Sequence, residues 1–287
     1  MKNAFFKSYA FGMTFIAAVY AVSTAIGIFI FSSLNFEPFV NLLIADIAAT
    51  LAVFIASSLT NNASVYDPYW SVQPIIITVA LAVTNGVSLT GALMMSVICL
   101  WGVRLTANWA YTFRSLEHQD WRYSLLEEKS GALYPLVNLF GIHLVPTLIV
   151  YACTLPAVYA IVEKWSFNIG VVIFLLISLC AVALQATADI QLHIFRKNKT
   201  PKEVFIRRGV WKNSRHPNYL GEILFWWGIA LAGVCAMPSK WYFILGAILN
   251  TLLFLFVSIP MADKHQARKK GFVRYKKETR ALLPIKR

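Results

Sequence analysis

The chain has 287 residues, of which 58% are hydrophobic and only 14% charged, with a mean hydropathy of +0.62. A soluble domain carries about 25% charged residues, so this composition excludes an ordinary soluble globular protein. The net charge of +13 is not a nucleic-acid signal, because the cations gather in two segments beside apolar runs, where they mark membrane topology and contact with anionic lipid.

Eight apolar segments follow one another: Tyr9–Phe31, Phe39–Leu59, Val72–Val83, Leu89–Phe113, Pro135–Val162, Phe167–Phe195, Tyr219–Met237 and Trp241–Pro260. Most approach the ~20 residues needed to cross a bilayer, and they are continuous rather than alternating, which excludes a membrane β-barrel. The fold class is therefore all-α, a polytopic transmembrane helical bundle. The third segment is short enough to be re-entrant, so the sequence admits seven or eight spans. The first is too long for a signal-peptide core and reads as a retained helix. Two hydrophilic stretches interrupt the series. Arg114 to Gly131 is of mixed charge and reads as a surface helix or loop. Arg196 to Arg215 holds eight Lys and Arg, and the tail from Lys264 to Arg287 holds ten more. The positive-inside rule puts this basic loop, 196–215, and the tail on the cytoplasmic face. The tail from Met261 reads as an amphipathic helix anchored by Phe272 and Tyr275. No linker or repeat divides the chain, so residues 1–287 read as one membrane domain. Cys99, Cys153, Cys180 and Cys235 lie in apolar segments at spacings that suit neither disulfides nor a metal, and they read as small buried hydrophobes.

Four clusters of polar residues sit where ionisable groups are costly and so invite a functional reading. Tyr66-Asp67-Pro68-Tyr69-Trp70 with Gln73 places an acid between two phenols at a membrane boundary and reads as a proton-donor site. Arg104, Asn108 and Tyr111 share a face of the fourth segment. Gln185, Asp189, His193 and Arg196 share a face of the sixth, with Arg196 a candidate partner for Asp189. Finally, Arg215-His216-Pro217-Asn218-Tyr219-Leu220-Gly221-Glu222 opens the seventh segment. Pro217 suits a first helical turn. Free N–H groups there favour an anion, with Arg207, Arg208, Lys212 and Arg215 upstream to neutralise it. Glu222 lies one turn beyond Asn218, where an unpaired carboxylate is expensive. It must meet a donor, either a bound nucleotide or a cation beside it. His118 and His143 are isolated and read as structural. No Rossmann fingerprint, phosphate loop or metal-ligand spacing is present.

Gly209-Val210-Trp211, the 215–222 run, Trp227-Gly228, Asp67-Pro68-Tyr69-Trp70, and the ending at Gly271, Tyr275 and Leu282-Leu283-Pro284 together resemble the steroid 5-alpha-reductase family. The likeness is closest to a bacterial branch of membrane proteins, covers most of the chain, and is strongest over 181–284, the cofactor-binding half. It implies a bundle of about seven spans that binds NADPH and reduces a carbon–carbon double bond conjugated to a ketone. It also implies that Gln185, Asp189, Arg196, Asn218, Glu222 and Tyr275 hold the nucleotide. With them we place Arg208, Arg215, His216, Tyr219 and Arg268, and Arg104 corresponds to an arginine near the cofactor. The catalytic set is then Asp67, Tyr69 and Arg104. Two departures bear on specificity: Trp101 stands where the steroid enzymes have a catalytic Tyr, and their catalytic Glu has no clear counterpart beyond Asp67 or a nearby Tyr.

The function expected is therefore an NADPH-dependent reductase acting on a lipophilic enone, steroid-like or another lipid, in contact with membrane lipids. Neither nucleic acid, a metal nor an obligate protein partner is expected. The Arg-His-Pro-x-Tyr-x-Gly core is also similar to that of isoprenylcysteine and phospholipid methyltransferases, which bind S-adenosylmethionine. That second expectation is weaker, because those enzymes end in paired Glu residues where this chain has Asp263-Lys264.

Overall fold

The computed structural model describes residues 4–198 and 204–284. The chain is helical, and no strand occurs among the described residues. Its helices are α1 (Tyr9–Ser33), α2 (Pro38–Thr60), α3 (Tyr69–Asn85), α4 (Leu89–Thr112), α5 (Trp121–Val162), α6 (Ile169–Asn198), α7 (Pro217–Ala236), α8 (Pro238–Ala267) and the short α9 (Phe272–Glu278). Local chemistry sets their starts. The Ser8 hydroxyl accepts from Phe11 N at 3.3 Å to cap α1, Asp120 accepts from Arg122 N at 2.8 Å to cap α5, and Pro38 and Pro217 begin α2 and α7. Two helices are composite: α5 changes to a π turn over Val137–Leu144, and α8 does so over Phe254–Ser258.

Seven helices, all except α3 and α9, are long and apolar enough to cross a membrane. The mixed-charge stretch contributes the first turns of α5. The expected tail helix is divided: Met261 to Ala267 completes α8, and only Phe272–Glu278 forms a separate helix. Cys153 is buried as expected, but Cys180 is exposed and Cys99 and Cys235 are half-buried.

By packing, the chain divides into two compact units, Met1–Ile77 with Gly102–Tyr151, and Thr78–Trp101 with Ala152–Arg287. In the first unit, α1 lies on α2, and Val53, Val65, Tyr66, Leu116 and Ile142 form the core. Its loops are stitched together at one end. Asn62 Nδ2 donates to Leu116 O at 2.7 Å, Ala63 N to the Gln119 side chain at 2.8 Å, and Asp120 N to Ser64 Oγ at 2.8 Å. The chain leaves the 61–68 loop through α3 and returns to the same end through α4, a candidate span. The 17 residues of α3 extend about 26 Å, close to the hydrocarbon thickness, though α3 is not among the seven helices counted above.

In the second unit α6 and α7 approach most closely. A Cβ at Gly228 would collide with Ser178 Oγ and reach Phe174 O at 2.8 Å, and one at Gly221 would meet Gln185 Cγ at 2.5 Å. These two glycines, one heptad apart, let the backbones touch, which is how membrane helices gain packing energy without a hydrophobic drive between them. At one end of this unit Lys164 donates to Asn85 O and Gly86 O, and Lys240 pairs with Glu163 at 2.7 Å. At the other end the segment before α7 is tied to the tail: Arg215 N donates to Arg280 O at 3.1 Å and His216 N to Ala281 O at 3.0 Å.

Candidate functional site

The mouth of α7 is built around one carboxylate. Asp263, at the end of α8, accepts from Arg215 through Nε at 3.2 Å and Nη2 at 2.9 Å, binds His216 Nε2 at 2.9 Å, and pairs with Lys276 at 3.0 Å. Arg215, His216 and Asp263 are buried, whereas Lys276 is half exposed. Arg215 also donates to the carbonyls of Lys276 and Thr279. One negative charge thus faces three basic side chains. The Tyr275 hydroxyl donates to Trp211 O and to Ser214 O, and burial pushes the phenol up to about 12. Tyr219 stacks on His216, with ring centroids 5.1 Å apart and planes 7° from parallel. Asn218 and Asp189 are half-buried, and Arg196, Arg207, Arg208, Lys212 and Arg268 are exposed.

Deeper in the same unit the donors expected for Glu222 are found within this chain. Trp101 Nε1 donates to one carboxylate oxygen at 3.0 Å and Trp226 Nε1 to the other at 2.9 Å. All three side chains are buried, and Trp101 also stacks on Phe225 at 5.0 Å. Two indole N–H groups thus donate to Glu222 within this unit. Gln185, 1% exposed, packs against Gly221 on the neighbouring turn.

The first unit holds a cleft of about 540 Å³ walled by Trp70, Trp109 and Trp121 and lined with the polar groups of Asp67, Asn108 and Tyr123. The Tyr123 hydroxyl donates to Asp67 Oδ1 at 2.5 Å, and Arg122, which clasps Asp120 at 2.8 Å, lies 3.9 Å from the same Asp67 oxygen. Burial raises Asp67 to about 6, partly offset by the Arg122 guanidinium. An acid raised toward neutrality and hydrogen-bonded to a phenol can donate and retrieve a proton. Tyr69 points elsewhere: its hydroxyl donates to Asp46 Oδ1 at 3.3 Å, and Gln73 Nε2 donates to Asp46 Oδ2 at 2.6 Å.

Of the residues singled out by sequence, Asp67 and Asn108 line the cleft, while Tyr69 and Arg104 do not. Arg104 is half-buried on α4, one turn before Asn108, and Tyr111 is exposed. The mouth of α7 gathers Arg215, His216, Tyr219 and Tyr275; Gln185 and Glu222 lie deeper in α6 and α7. Three functional candidates escaped the sequence reading. Tyr123 sat in a stretch of mixed charge with no periodic signal. Asp263 was noted only as a departure from the paired Glu of the methyltransferases. Asp46, the one acid within the second apolar segment, carried a legible signal, because a carboxylate at that depth needs partners.

Residues 53–279 match the family described as "Protein of unknown function (DUF1295)". No curated protein and no solved structure matches the chain.

Proposed function

The chain belongs to that family, Protein of unknown function (DUF1295), over residues 53–279, and we propose that it is a membrane-embedded, NADPH-dependent reductase of a carbon–carbon double bond conjugated to a ketone in a lipophilic substrate. The observation that carries it is the surplus of positive charge at the mouth of α7, where the single carboxylate of Asp263 faces both Arg215 and Lys276 beside the His216 ring. A diphosphate cofactor suits that balance, whereas the sulfonium of S-adenosylmethionine does not. The resemblance of the 215–222 run and the 271–284 ending to steroid 5-alpha-reductases supports the same reading.

The donor set fits NADPH. Exposed guanidinium and ammonium groups at Arg207, Arg208, Lys212 and Arg268 would take phosphates. Asn218, Asp189 and Tyr219 offer amide, carboxylate and phenol to the sugars. NADPH supplies a hydride. The protein supplies the rest. The Asp263 cluster fixes the segment before α7 so that its cations are held in place. The cleft of the first unit, taken by itself, keeps the proton on Tyr123 Oη against Asp67 Oδ1, a pair able to protonate an oxygen that gains negative charge.

Purified protein should melt at a higher temperature with NADPH than with S-adenosylmethionine. A ligand at a hundred times its Kd stabilises the folded state by about 2.7 kcal/mol. A rise with S-adenosylmethionine and none with NADPH would move the protein to the methyltransferase class.

We count α3 as an eighth crossing, and a topology follows from that count. Among the described residues, Lys164 and Lys240 are the only Lys or Arg in the segments 34–37, 86–88, 163–168 and 237–243; apart from Arg104 within α4, the others belong to the opposite ends. The positive-inside rule makes those opposite ends cytoplasmic, together with the loop 196–215 and the tail. In a background without native cysteines, an impermeant thiol reagent added outside intact cells is expected to label Val87→Cys and to miss Lys212→Cys and Lys277→Cys. The reverse pattern would reject this orientation. Lys199, the other natural probe position in the basic loop, lies outside the described residues.

A further inference from the structure

We propose that Asp46 is a proton-loading site inside the membrane part of the first unit, and that the hydroxyls of Tyr69, Thr50, Thr147 and Tyr66 relay its proton. Asp46 sits eight residues into α2 and is 4% exposed. Its two partners, the Tyr69 hydroxyl at 3.3 Å and the Gln73 amide at 2.6 Å, are neutral, and among the described residues it has no ion pair. A lone carboxylate in such surroundings is far costlier ionised than protonated. The groups packed around it agree. α3 presents Tyr69 and Gln73, the turn before α3 presents Tyr66, α1 presents Tyr20 with its ring 5.6 Å from Tyr69, and α5 presents Thr147 and His143. None of these carries a fixed positive charge.

The hydroxyls form a line. Thr50 lies one helical turn from Asp46 on the same face of α2, and the Tyr69 ring packs on Tyr66 with centroids 5.6 Å apart. Thr50 Oγ1 is 3.2 Å from Thr147 Oγ1, which is 2.9 Å from Tyr66 Oη. In the last two contacts either atom can donate. Such bonds reverse together when a proton enters at one end, which is the property a relay needs. Tyr66 is the chain neighbour of Asp67, which lines the cleft. His143 packs on Tyr66 at 4.7 Å, and its buried Nε2 has no partner. Once Asp46 is protonated it donates to Tyr69, whose own proton is then free to pass on. Each transfer breaks one O–H bond and forms another, with no change in electrons.

The inference rests on the reductase reading only for the use of the proton. Reduction of an enone by a hydride consumes one proton per turnover, and this line stores one beside the cleft. The state of Asp46 can be tested without any turnover.

The test is infrared spectroscopy of the protein in lipid nanodiscs at about pH 7, above the Asp67 value of about 6. The parent should show a protonated carboxylic C=O band that Asp46→Asn removes, Tyr69→Phe shifts, and Asp46→Glu moves without abolishing. On transfer to D2O that band should shift by exchange. Tyr66→Phe and Thr147→Val, which leave the acid intact, should slow the exchange about tenfold by removing one bonded hydroxyl each. A parent spectrum in which Asp46→Asn removes no band would mean an ionised Asp46 and overturn the loading site. Unchanged exchange in both hydroxyl variants would overturn the relay. If the bands behave as expected but NADPH neither binds nor is oxidised, the reductase reading fails while the proton site stands.

Discussion

Asp263→Asn is expected to destabilise the protein by about 3–5 kcal/mol, because it leaves the Arg215 guanidinium and the His216 ring buried without their carboxylate. Lys276, half exposed, regains water and adds little. The loss should appear as a lower melting temperature in detergent and as early proteolysis of the tail, since the same cluster fastens Thr279 and Lys276 through their carbonyls. The cost belongs to the uncompensated charge rather than to the bond itself. Asp263→Leu combined with Arg215→Met should therefore recover much of what the single change loses. A melting temperature equal to the parent's for Asp263→Asn would mean that solvent or lipid already serves Arg215, and that the cluster does not anchor the mouth of α7.

Glu222→Leu is the second large effect. It strands the indole N–H groups of Trp101 and Trp226, both almost wholly inaccessible. Each buried donor left unmet costs about 1–3 kcal/mol. Glu222→Gln should fall between parent and Leu, because an amide offers one acceptor oxygen and turns a second donor toward the other indole. Melting temperatures are expected in the order parent, Gln, Leu, with tryptophan fluorescence reporting the loosened pair. From the sequence alone the expectation for Glu222→Gln is intact folding and roughly tenfold weaker nucleotide binding. The indoles reverse that forecast for stability. A variant that melts like the parent yet loses NADPH would return Glu222 to the cofactor.

What the sequence determined by itself is whatever follows from hydropathy and local chemistry. Long uncharged runs of the bilayer's length can only be buried helices, so the class and nearly every span were legible. The helix start at Pro217 and the basic ends of α6 and α8 were legible for the same reason, since caps and charge asymmetry act over a few residues. The role of α3 was not, because length left it ambiguous; its place depends on Asn62, Ser64 and Gln119 tying two loops to one end. Partnerships between distant groups were also invisible. Asp263 meets Arg215 across 48 positions, Glu222 meets Trp101 across 121, and Asp67 meets Tyr123 across 56. A polar residue in an apolar run announces that it needs a partner, since leaving it bare in hydrocarbon is costly. Which partner it finds depends on how helices pack, and here that rested on small residues such as Gly221 and Gly228, which let α6 and α7 close to backbone contact.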